Sequence, residues 1–390
     1  MTVNNYVTRV VSAPSEVAAS DWDALLLKEA DPSPFLRHAY LTALHDSACA
    51  APETGWTCRF LTLWRSGSLC AACPLYFKTH SYGEYVFDWA WANAYEAHGL
   101  AYYPKGLVAV PFTPVQGARL LACDDSARTA LVHALLAYAA SEALSSLHLL
   151  FVSPQDAQAC AQAGLLLRHT VQFHWTNQRY SDFEHFMVSL QQEKRKKIRQ
   201  ERRKVAEAGV SFRRRRGHEI TEADWDFFYR CYERTYLEHG NRPYLSRTFF
   251  HRMAAHLPDQ WLLLVAERQG RPIACSLIGL DVEHGVAYGR YWGALERVDC
   301  LHFEACYYQP IAWCIEHGLQ RFEGGAQGEH KMARALLPVT TTSAHWLAHP
   351  AFADAVQRFL EREAQGIESY LVELAERTPL KAQAAARLQV

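Results

Sequence analysis

The stretch LLVAERQGRPIACSLIG, residues 263–279, decides the fold of the second half of this chain. Two apolar runs flank a short turn that ends in glycine, and this pattern is typical of a β-hairpin. A segment built in the same way, FLTLWRSGSLCAACPLY, occupies residues 60–76, and Gly67 aligns with Gly270 at a constant offset of 203 residues. Solenoid repeats are far shorter, so the pattern predicts a duplicated domain.

Outward from each hairpin the same order of elements recurs. Each is followed by an aromatic strand, a helix and another strand, which predicts two mixed α/β units. Pro310 is expected to split or kink the second helix. The predicted strands are 82–89, 147–152, 285–292 and 319–323, the predicted helices are 125–143 and 302–317, and a C-terminal helix begins near Phe352.

The bulk composition fits this organisation. The chain has 390 residues, of which 49% are hydrophobic and 21% charged, and its formal net charge is -1. This length favours two domains, which we place at residues 1–175 and 176–390, with the C-terminal helix packing back on the first domain. The composition excludes disordered and fibrous classes. No run approaches the roughly 18 apolar residues of a membrane span, so we expect a cytoplasmic protein.

A basic run follows the predicted boundary. Residues 193–216 contain 12 Lys or Arg against 3 Glu, and the helix predicted for residues 181–208 carries much of this charge. Phosphate binding, as on tRNA, is one reading. A solvated helix face and contact with an anionic membrane surface are the alternatives. The candidate nucleic-acid-binding residues are Lys196, Lys197, Arg199, Arg202 and Arg203.

A glycine-rich polar loop, RFEGGAQGEHKMARALLPVTTTSAHW at residues 321–346, carries the main catalytic candidates. His330 is suited to proton transfer near neutral pH. Glu323 and Glu329 are suited to holding or deprotonating an ammonium group, and Lys331 to holding an anion. Gln327 and Arg334 are candidate substrate-binding residues, the latter through a bidentate guanidinium. The alternative is a loop with no chemical role.

Two aromatic segments supply further candidates. On the strand predicted at 285–292, alternation places Tyr288 and Arg290 on one face and Tyr291 on the other, where core packing is expected. His302 and Glu304 are secondary candidates at the next helix start. In the first half an aromatic and acidic cluster is suited either to a sugar or peptide pocket or to packing between the halves. Its candidate substrate-binding residues are Tyr82, Tyr85, Asp88 and Trp89.

The order of segments in the second half resembles the Fem-like, peptidoglycan biosynthesis/recognition branch of the GNAT acyltransferase superfamily. HSYGEYVFDWAWANAYEAHGL at residues 80–100 and GAQGEHK at residues 325–331 are the most specific parts of this resemblance. It implies two tandem GNAT-like domains and the transfer of an acyl or aminoacyl group to an amine. The best-known Fem-type members take the group from aminoacyl-tRNA and extend the peptidoglycan stem peptide.

A phosphate-binding turn in the sequence would indicate acyl-CoA as the donor. Acetyl-CoA enzymes of the superfamily usually carry Q/R-x-x-G-x-G/A, in which bare backbone amides hold the pyrophosphate. Here Arg290 and Gly293 match, but Leu295 replaces the last small residue and Glu296 and Asp299 follow. A second match at residues 321–326 lies at a strand exit, where it is coincidental.

The resemblance, together with the candidate residues, implies an N-acyltransferase that forms an amide bond. The acceptor is an amine of a peptide, amino acid or cell-wall precursor. We expect aminoacyl-tRNA as co-substrate, with acyl-CoA as the alternative, and no cofactor or metal. A non-catalytic GNAT-like binding module is the second alternative.

Overall fold

The computed structural model describes residues 6–326, 328–382 and 384. They form two compact units: unit 1 takes its residues from Met1–Thr170 and Thr340–Glu368, and unit 2 from Val171–Val339 and Ser369–Val390. The sequence predicted one continuous segment for each domain, with the boundary at 175/176. In the structure residues 340–368 belong to unit 1, and the first part of the C-terminal helix packs back on it as predicted, because Val356 and Leu360 bury their side chains against Trp91 and Tyr95.

Unit 1 contains two sheet portions with helices packed on them. Its core is formed by apolar strand residues and by the buried face of the helix predicted at 125–143, which the structure shows at Asp125–Ser141. The elements are β1 (Val7–Val11), α1 (Ala19–Leu26), α2 (His38–Asp46), β2 (Trp56–Cys58), β3 (Phe60–Arg65), β4 (Ser68–Cys73), β5 (Leu75–Lys78), α3 (Trp89–Ala97), β6 (Lys105–Val108), β7 (Leu121–Ala122), α4 (Asp125–Ser141), β8 (Ser146–Leu149) and α5 (Pro154–Gln162).

Unit 2 contains most of the remaining elements, and the following ranges are given in chain order. They are β9 (Leu166–Thr176), α6 (Phe183–Ser189), α7 (Gln192–Glu207), β10 (Val210–Arg216), α8 (Glu222–Glu238), α9 (Arg247–His256), β11 (Trp261–Arg268), β12 (Arg271–Asp281), β13 (Val286–Ala294), α10 (Leu301–Phe303), α11 (Gln309–Glu316), β14 (Arg321–Glu323), β15 (Leu337–Leu347) and α12 (Pro350–Glu376).

The strand orders are those of mixed sheets, as predicted. In unit 1 β1, β3, β4 and β7 form one antiparallel sheet, and a second set runs β15-β8-β6-β5-β2 with a parallel β6–β8 pair. In unit 2 the order is β10-β11-β12-β13-β14-β9, and β13 and β14 are parallel. The antiparallel edge strand β10 carries the arginines at the end of the basic run.

Both predicted hairpins are confirmed. β3 pairs antiparallel with β4, and β11 with β12. The two turns share one backbone signature, since Ser66 and Gly67 have φ of 51° and 82° and Gln269 and Gly270 have φ of 53° and 72°. Left-handed residues at both central positions match the right-handed twist of the flanking strands. The tight turn explains why glycine ends each one.

Two predicted elements were wrong. Residues 82–89 do not form a strand, because Gly83 and Tyr85 adopt φ of 81° and 62°, and helix α3 already begins at Trp89. The single helix predicted at 181–208 is broken between α6 and α7. Leu190 there is fully buried and extended, and it forms an antiparallel bridge with Leu380. Burial of one leucine therefore overrides helical continuity.

The helix predicted at 302–317 is interrupted as expected. A π-helical turn, Glu304–Tyr308, separates α10 from α11, and Pro310 lies in the first turn of α11. Proline lacks an N–H and clashes with the carbonyl four residues earlier, so a regular helix does not continue through it. Predicted strands 147–152 and 319–323 are shorter in the structure, at Ser146–Leu149 and Arg321–Glu323. No helix in the described part of the chain is both long and apolar enough to cross a bilayer.

Candidate functional site

A cleft opens in unit 2 where two parallel strands separate. The ladder between β13 and β14 ends at the pair Tyr288 and Glu323, while β13 continues to Ala294. Beyond this point the backbone of β13 faces the glycine-rich loop rather than a partner strand. A cavity of about 130 Å³ occupies the gap. Its lining consists of Ser276, Ile278, Gly289, Arg290, Tyr291, Trp292, His302, Cys306, Tyr307 and Gly324.

A β-bulge shapes one wall of this cleft. Ile278 pairs with Gly289 but Leu277 pairs with Tyr291, so Arg290 is the extra residue of β13. The extra residue returns Tyr291 to the face of Tyr288, because their partners Leu277 and Gly279 are two residues apart on β12, so the expectation that Tyr291 lies on the opposite face was wrong. The Arg290 guanidinium lies 5.1 Å from the Tyr291 ring and donates to its hydroxyl. Tyr291 itself packs against the rings of Tyr232 and Phe250, as predicted for a core residue.

The other wall needs a residue without a side chain. A Cβ on Gly324 would lie 2.4 Å from Cδ2 of Leu336 and 3.3 Å from Cδ of Lys331. Because Gly324 has no side chain, the loop backbone packs directly against Leu336 and Lys331. Gly324 also lines the cavity. Gly328, with φ of 111°, takes a conformation that other residues rarely adopt.

Three side chains with labile protons meet beside the cavity. The hydroxyl of Tyr307 lies 3.2 Å from Nε2 of His330, and the His302 ring packs edge-on against Tyr307 at 5.7 Å between centroids. Burial lowers the pKa of His302 to about 4, and partial burial, with the charges of Lys331 and Arg334, lowers the pKa of His330. Both imidazoles are therefore neutral at pH 7. Burial raises the pKa of Tyr307, which keeps its proton.

Lys331 anchors the loop from within. Its ammonium donates to the carbonyls of Gly325 at 2.9 Å and Ala326 at 3.2 Å. Burial lowers the pKa of Lys331 to about 8, a shift that the thiol of Cys306 opposes. The group therefore carries its charge at pH 7 and begins to lose it just above. Lys331, one of the predicted catalytic residues, thus lies directly under the glycine loop.

Arg334 does not face the cleft. It is 3% exposed, and its guanidinium bonds to both carboxylate oxygens of Glu201 at 2.8 and 3.0 Å and stacks over the Phe303 ring at 3.6 Å. The same arginine donates to the carbonyl of His330. Arg334 thus holds a carboxylate of α7 through one nitrogen, Nη2, rather than in the predicted bidentate manner, and the role that this geometry supports is to position His330.

The two glutamates among the loop candidates lie in different environments. Glu323 is buried, with Oε1 3.0 Å from Nε of Arg321 and Oε2 3.8 Å from Nε2 of His174. Glu329 lies on the surface and binds Arg377 at 2.7 Å and the hydroxyl of Tyr370 at 3.3 Å. These contacts tie Glu329 to α12 rather than to the cavity lining. Gln327 lies outside the described residues.

The predicted nucleic-acid-binding residues separate into two groups. Lys196, Lys197, Arg199 and Arg203 are exposed on α7. Arg202 instead binds the buried carboxylate of Glu304 at 3.1 Å and lies over the Phe183 ring. An open groove of about 620 Å³ borders the helix and strand β10. Its basic lining residues are Arg199, Arg202, Arg203 and Arg214.

The candidates from the first half of the chain, all in unit 1, differ in how exposed they are. Tyr82 and Trp89 are exposed and their rings meet at 5.1 Å between centroids. Asp88 is 3% exposed and accepts hydrogen bonds from Lys105 and from the hydroxyl of Tyr102. Asp88 therefore stabilises its own segment and does not face solvent, so the prediction that it contacts substrate does not fit this geometry. Tyr85 is half-buried at a left-handed backbone position.

A family model described as peptidoglycan biosynthesis/recognition matches residues 13–382. The chain belongs to the FemAB-like family. No curated protein matches it. The similarity to solved structures is one of fold.

Three structures with this fold are similar over most of their length. The FemAB-like chain shares 12% identity and a TM-score of 0.54 with the C-terminal domain of a putative lysylphosphatidylglycerol synthetase from Agrobacterium fabrum, covering 90% of this chain and 97% of that one. For FemX the values are 12% and 0.51, with 87% and 98% covered. For L-PGS from Bacillus licheniformis they are 11% and 0.53, with 88% and 97% covered. The predicted membership of the Fem-like family and the predicted mixed α/β fold are confirmed.

Sequence reasoning missed two features of this FemAB-like cleft. Tyr307 lies in the helix predicted at 302–317 and was not among the candidates, although its hydroxyl connects the cavity to His330. Ser276 and Cys306 were not singled out at all, yet both line the cavity. The π-helical turn rotates residues 304–308 relative to a regular helix, and no local pattern shows which side chains this brings to the cleft. A histidine and a tyrosine 23 positions apart carry no spacing signal.

Proposed function

We propose that this protein is an N-acyltransferase that forms an amide bond by moving an aminoacyl group from aminoacyl-tRNA to an amine of a peptide or cell-wall precursor. The observation that carries the proposal is the Tyr307–His330 pair at the cleft between β13 and the glycine loop. Membership of the FemAB-like family supports a cell-wall acceptor. The similar fold of the C-terminal domain of a putative lysylphosphatidylglycerol synthetase supports aminoacyl chemistry.

The acceptor amine needs a proton acceptor. An activated ester reacts without an enzyme nucleophile, but the amine must lose a proton as it attacks the ester carbonyl. Tyr307 lines the cavity and its hydroxyl is in contact with His330 Nε2. The proton passes to the tyrosine oxygen as the tyrosine proton passes to neutral His330. The tetrahedral intermediate then expels the ribose oxygen of the donor, which takes a proton back.

Lys331 positions the loop for this reaction. Its charged form holds two successive carbonyls, of Gly325 and Ala326, beside Gly324. The loop is thereby fixed against the end of β14, where the cavity opens. The loss of this charge above about pH 8 weakens the anchor. Arg334 fixes the other end of the loop through Glu201 and the His330 carbonyl.

The exposed cations of α7 support tRNA as the donor. Four of the predicted residues are open to solvent, and their exposed ion pairs, Arg199 with Glu184 and Arg203 with Glu207, are weak enough to exchange for phosphates. The 620 Å³ groove beside them is wide and open. Phosphate contacts of this type bind without sequence preference.

The acyl-CoA alternative fits the residues less well. The glycine of the incomplete motif, Gly293, is required by packing, since a Cβ there would lie 2.1 Å from the carbonyl oxygen of Cys231 on α8. Its bare face is therefore filled by a helix. Glu296 at the end of the turn pairs with Arg268 and leaves an acidic carboxylate beside any pyrophosphate. These contacts explain the turn without a cofactor.

Separate donor assays test the proposal. The purified protein is mixed with a cell-wall stem-peptide precursor and either tRNA charged with radiolabelled amino acids or radiolabelled acyl-CoA. We expect label to move to the peptide amine from tRNA alone, and His330→Ala to abolish the transfer while the fold is retained. Transfer from acyl-CoA alone refutes the choice of donor. Retention of full transfer by His330→Ala refutes the proton path.

A further inference from the structure

Unit 1 contains a buried ion network that the proposed reaction does not use. Lys105 is fully buried, and its ammonium donates to Ser81 Oγ at 2.8 Å, to Glu84 Oε2 at 2.7 Å and to Asp88. All three acceptors lie on the segment that connects β5 to α3, residues 79–88. Burying such charges is costly unless the geometry is well satisfied. The network therefore fixes the conformation of this segment.

A second anchor acts on the same segment. The guanidinium of Arg168 donates to the carbonyl of Phe87 at 2.7 Å and forms a bidentate pair with Glu363 at 2.8 Å for both bonds. Gly83 and Tyr85 hold left-handed backbone conformations between the anchors. These contacts constrain the segment from Ser81 to Asp88.

The fixed shape displays aromatic rings outward. Tyr82, Phe87 and Trp89 are 59%, 51% and 37% exposed, although aromatic side chains of this size are normally buried. Tyr82 and Trp89 meet edge to face, with 5.1 Å between centroids. Rigid exposed aromatic faces are a feature of ligand-binding surfaces.

A cavity of about 410 Å³ begins at Trp89. Trp89, Asn93 and Glu96 line it from one face of α3, at spacings of four and three residues. Tyr102 and Tyr103 form its far side, and their hydroxyls bind Asp88 and Ser81 of the anchored segment. No described residue forms a hydrogen bond with the side chains of Asn93 or Glu96. The cavity thus combines aromatic faces with available amide and carboxylate groups.

We propose that this face of unit 1, lined by Trp89, Asn93, Glu96 and Tyr103, is a binding site for a saccharide. Sugar rings present apolar C–H faces that stack on tryptophan and tyrosine, and hydroxyls that an amide or carboxylate can bind. None of the residues that line the cavity is basic, and Glu96 repels anions, so the site does not suit a phosphate. Its volume lies within the range of small-molecule sites.

This site is independent of the transfer chemistry. All of its residues belong to unit 1, whereas the proposed proton path lies in unit 2. Saccharide binding therefore needs no donor and no turnover. Failure of the acyl-transfer assay leaves this inference standing, and failure of the binding assay leaves the transfer proposal standing.

The test measures binding of chitotetraose, a tetramer of N-acetylglucosamine, by calorimetry and by quenching of tryptophan fluorescence. We expect the full-length protein to bind with a Kd below about 10 mM. Trp89→Ala weakens binding at least about tenfold and Trp89→Phe about threefold, because ring stacking is reduced in steps. Phe87→Ala, which removes a more exposed aromatic that does not line the cavity, is the matched control and leaves binding unchanged.

Two further measurements complete the design. Asn93→Ala with Glu96→Ala weakens binding about tenfold through lost hydrogen bonds, while the melting temperature stays at the wild-type value since both side chains are exposed. Absence of tetrasaccharide binding overturns the proposal. It is also overturned if Trp89→Ala binds as tightly as wild type, or if a stem peptide without sugar binds this face in place of chitotetraose.

Discussion

The basic helix α7 makes a quantitative prediction about the salt dependence of tRNA binding. The perturbation is a single protein carrying Lys196→Gln, Lys197→Gln, Arg199→Gln and Arg203→Gln. All four side chains are exposed, and the two arginines form only exposed ion pairs. Such pairs contribute about 0–1 kcal/mol each, so the fold and its melting temperature are preserved.

The expected magnitude follows from the number of phosphates lost. Each neutralised phosphate contributes roughly 0.7–0.9 to the slope of log K against log salt, so four lost contacts flatten the slope by about 3. At 0.1 M salt the association constant falls by as much as roughly 10³-fold. The assay is fluorescence anisotropy of labelled tRNA at salt concentrations from about 50 to 200 mM.

Arg202→Gln is the matched control on the same helix. Its guanidinium is bound to the buried carboxylate of Glu304 and to the Phe183 ring. Its removal leaves the salt slope unchanged but lowers the free energy of unfolding by about 1–2 kcal/mol, because a buried carboxylate loses a partner. An unchanged slope in the fourfold variant refutes tRNA binding by α7 and assigns the run to a solvated face. A large slope change in Arg202→Gln refutes the division of this helix into bound and available cations.

Two other expectations concern the cleft and the network of unit 1. The transfer rate rises with pH as His330, whose pKa is lowered by partial burial, loses its proton, and it falls above about pH 8 as Lys331 loses its charge. In Tyr307→Phe the rate drops about 10²-fold. A pH–rate profile of both proteins checks these expectations. An unaltered rate in Tyr307→Phe contradicts the relay. Lys105→Met strands the carboxylates of Glu84 and Asp88 in the interior and lowers the free energy of unfolding by about 3–5 kcal/mol, measured by urea denaturation. Wild-type stability in that variant contradicts the anchoring of the segment.

Local patterns account for the elements that were predicted correctly. Alternating apolar runs around Gly67 and Gly270 specify hairpins, because only particular residues fit the left-handed turn. Helical periodicity is likewise enough to locate α4 and α12. The prediction of a strand at residues 82–89 was wrong because it rested on the aromatic residues of this segment, and aromatic residues are common in strands. Its backbone is instead set by Lys105, 17 residues beyond Asp88.

The sequence by itself determined the duplicated α/β organisation, the glycine loop with His330 and Lys331, and the basic character of α7. These properties arise from periodicity, turn residues and charge, which act over a few neighbouring positions. Only the tertiary structure decided that Arg334 and Arg202 are held by Glu201 and Glu304, and that Tyr307 reaches His330. Whether a charged side chain is buried and paired depends on partners that are distant in the chain. The sequence around an arginine therefore does not show whether it is available to bind a ligand or is held in an ion pair that stabilises the fold.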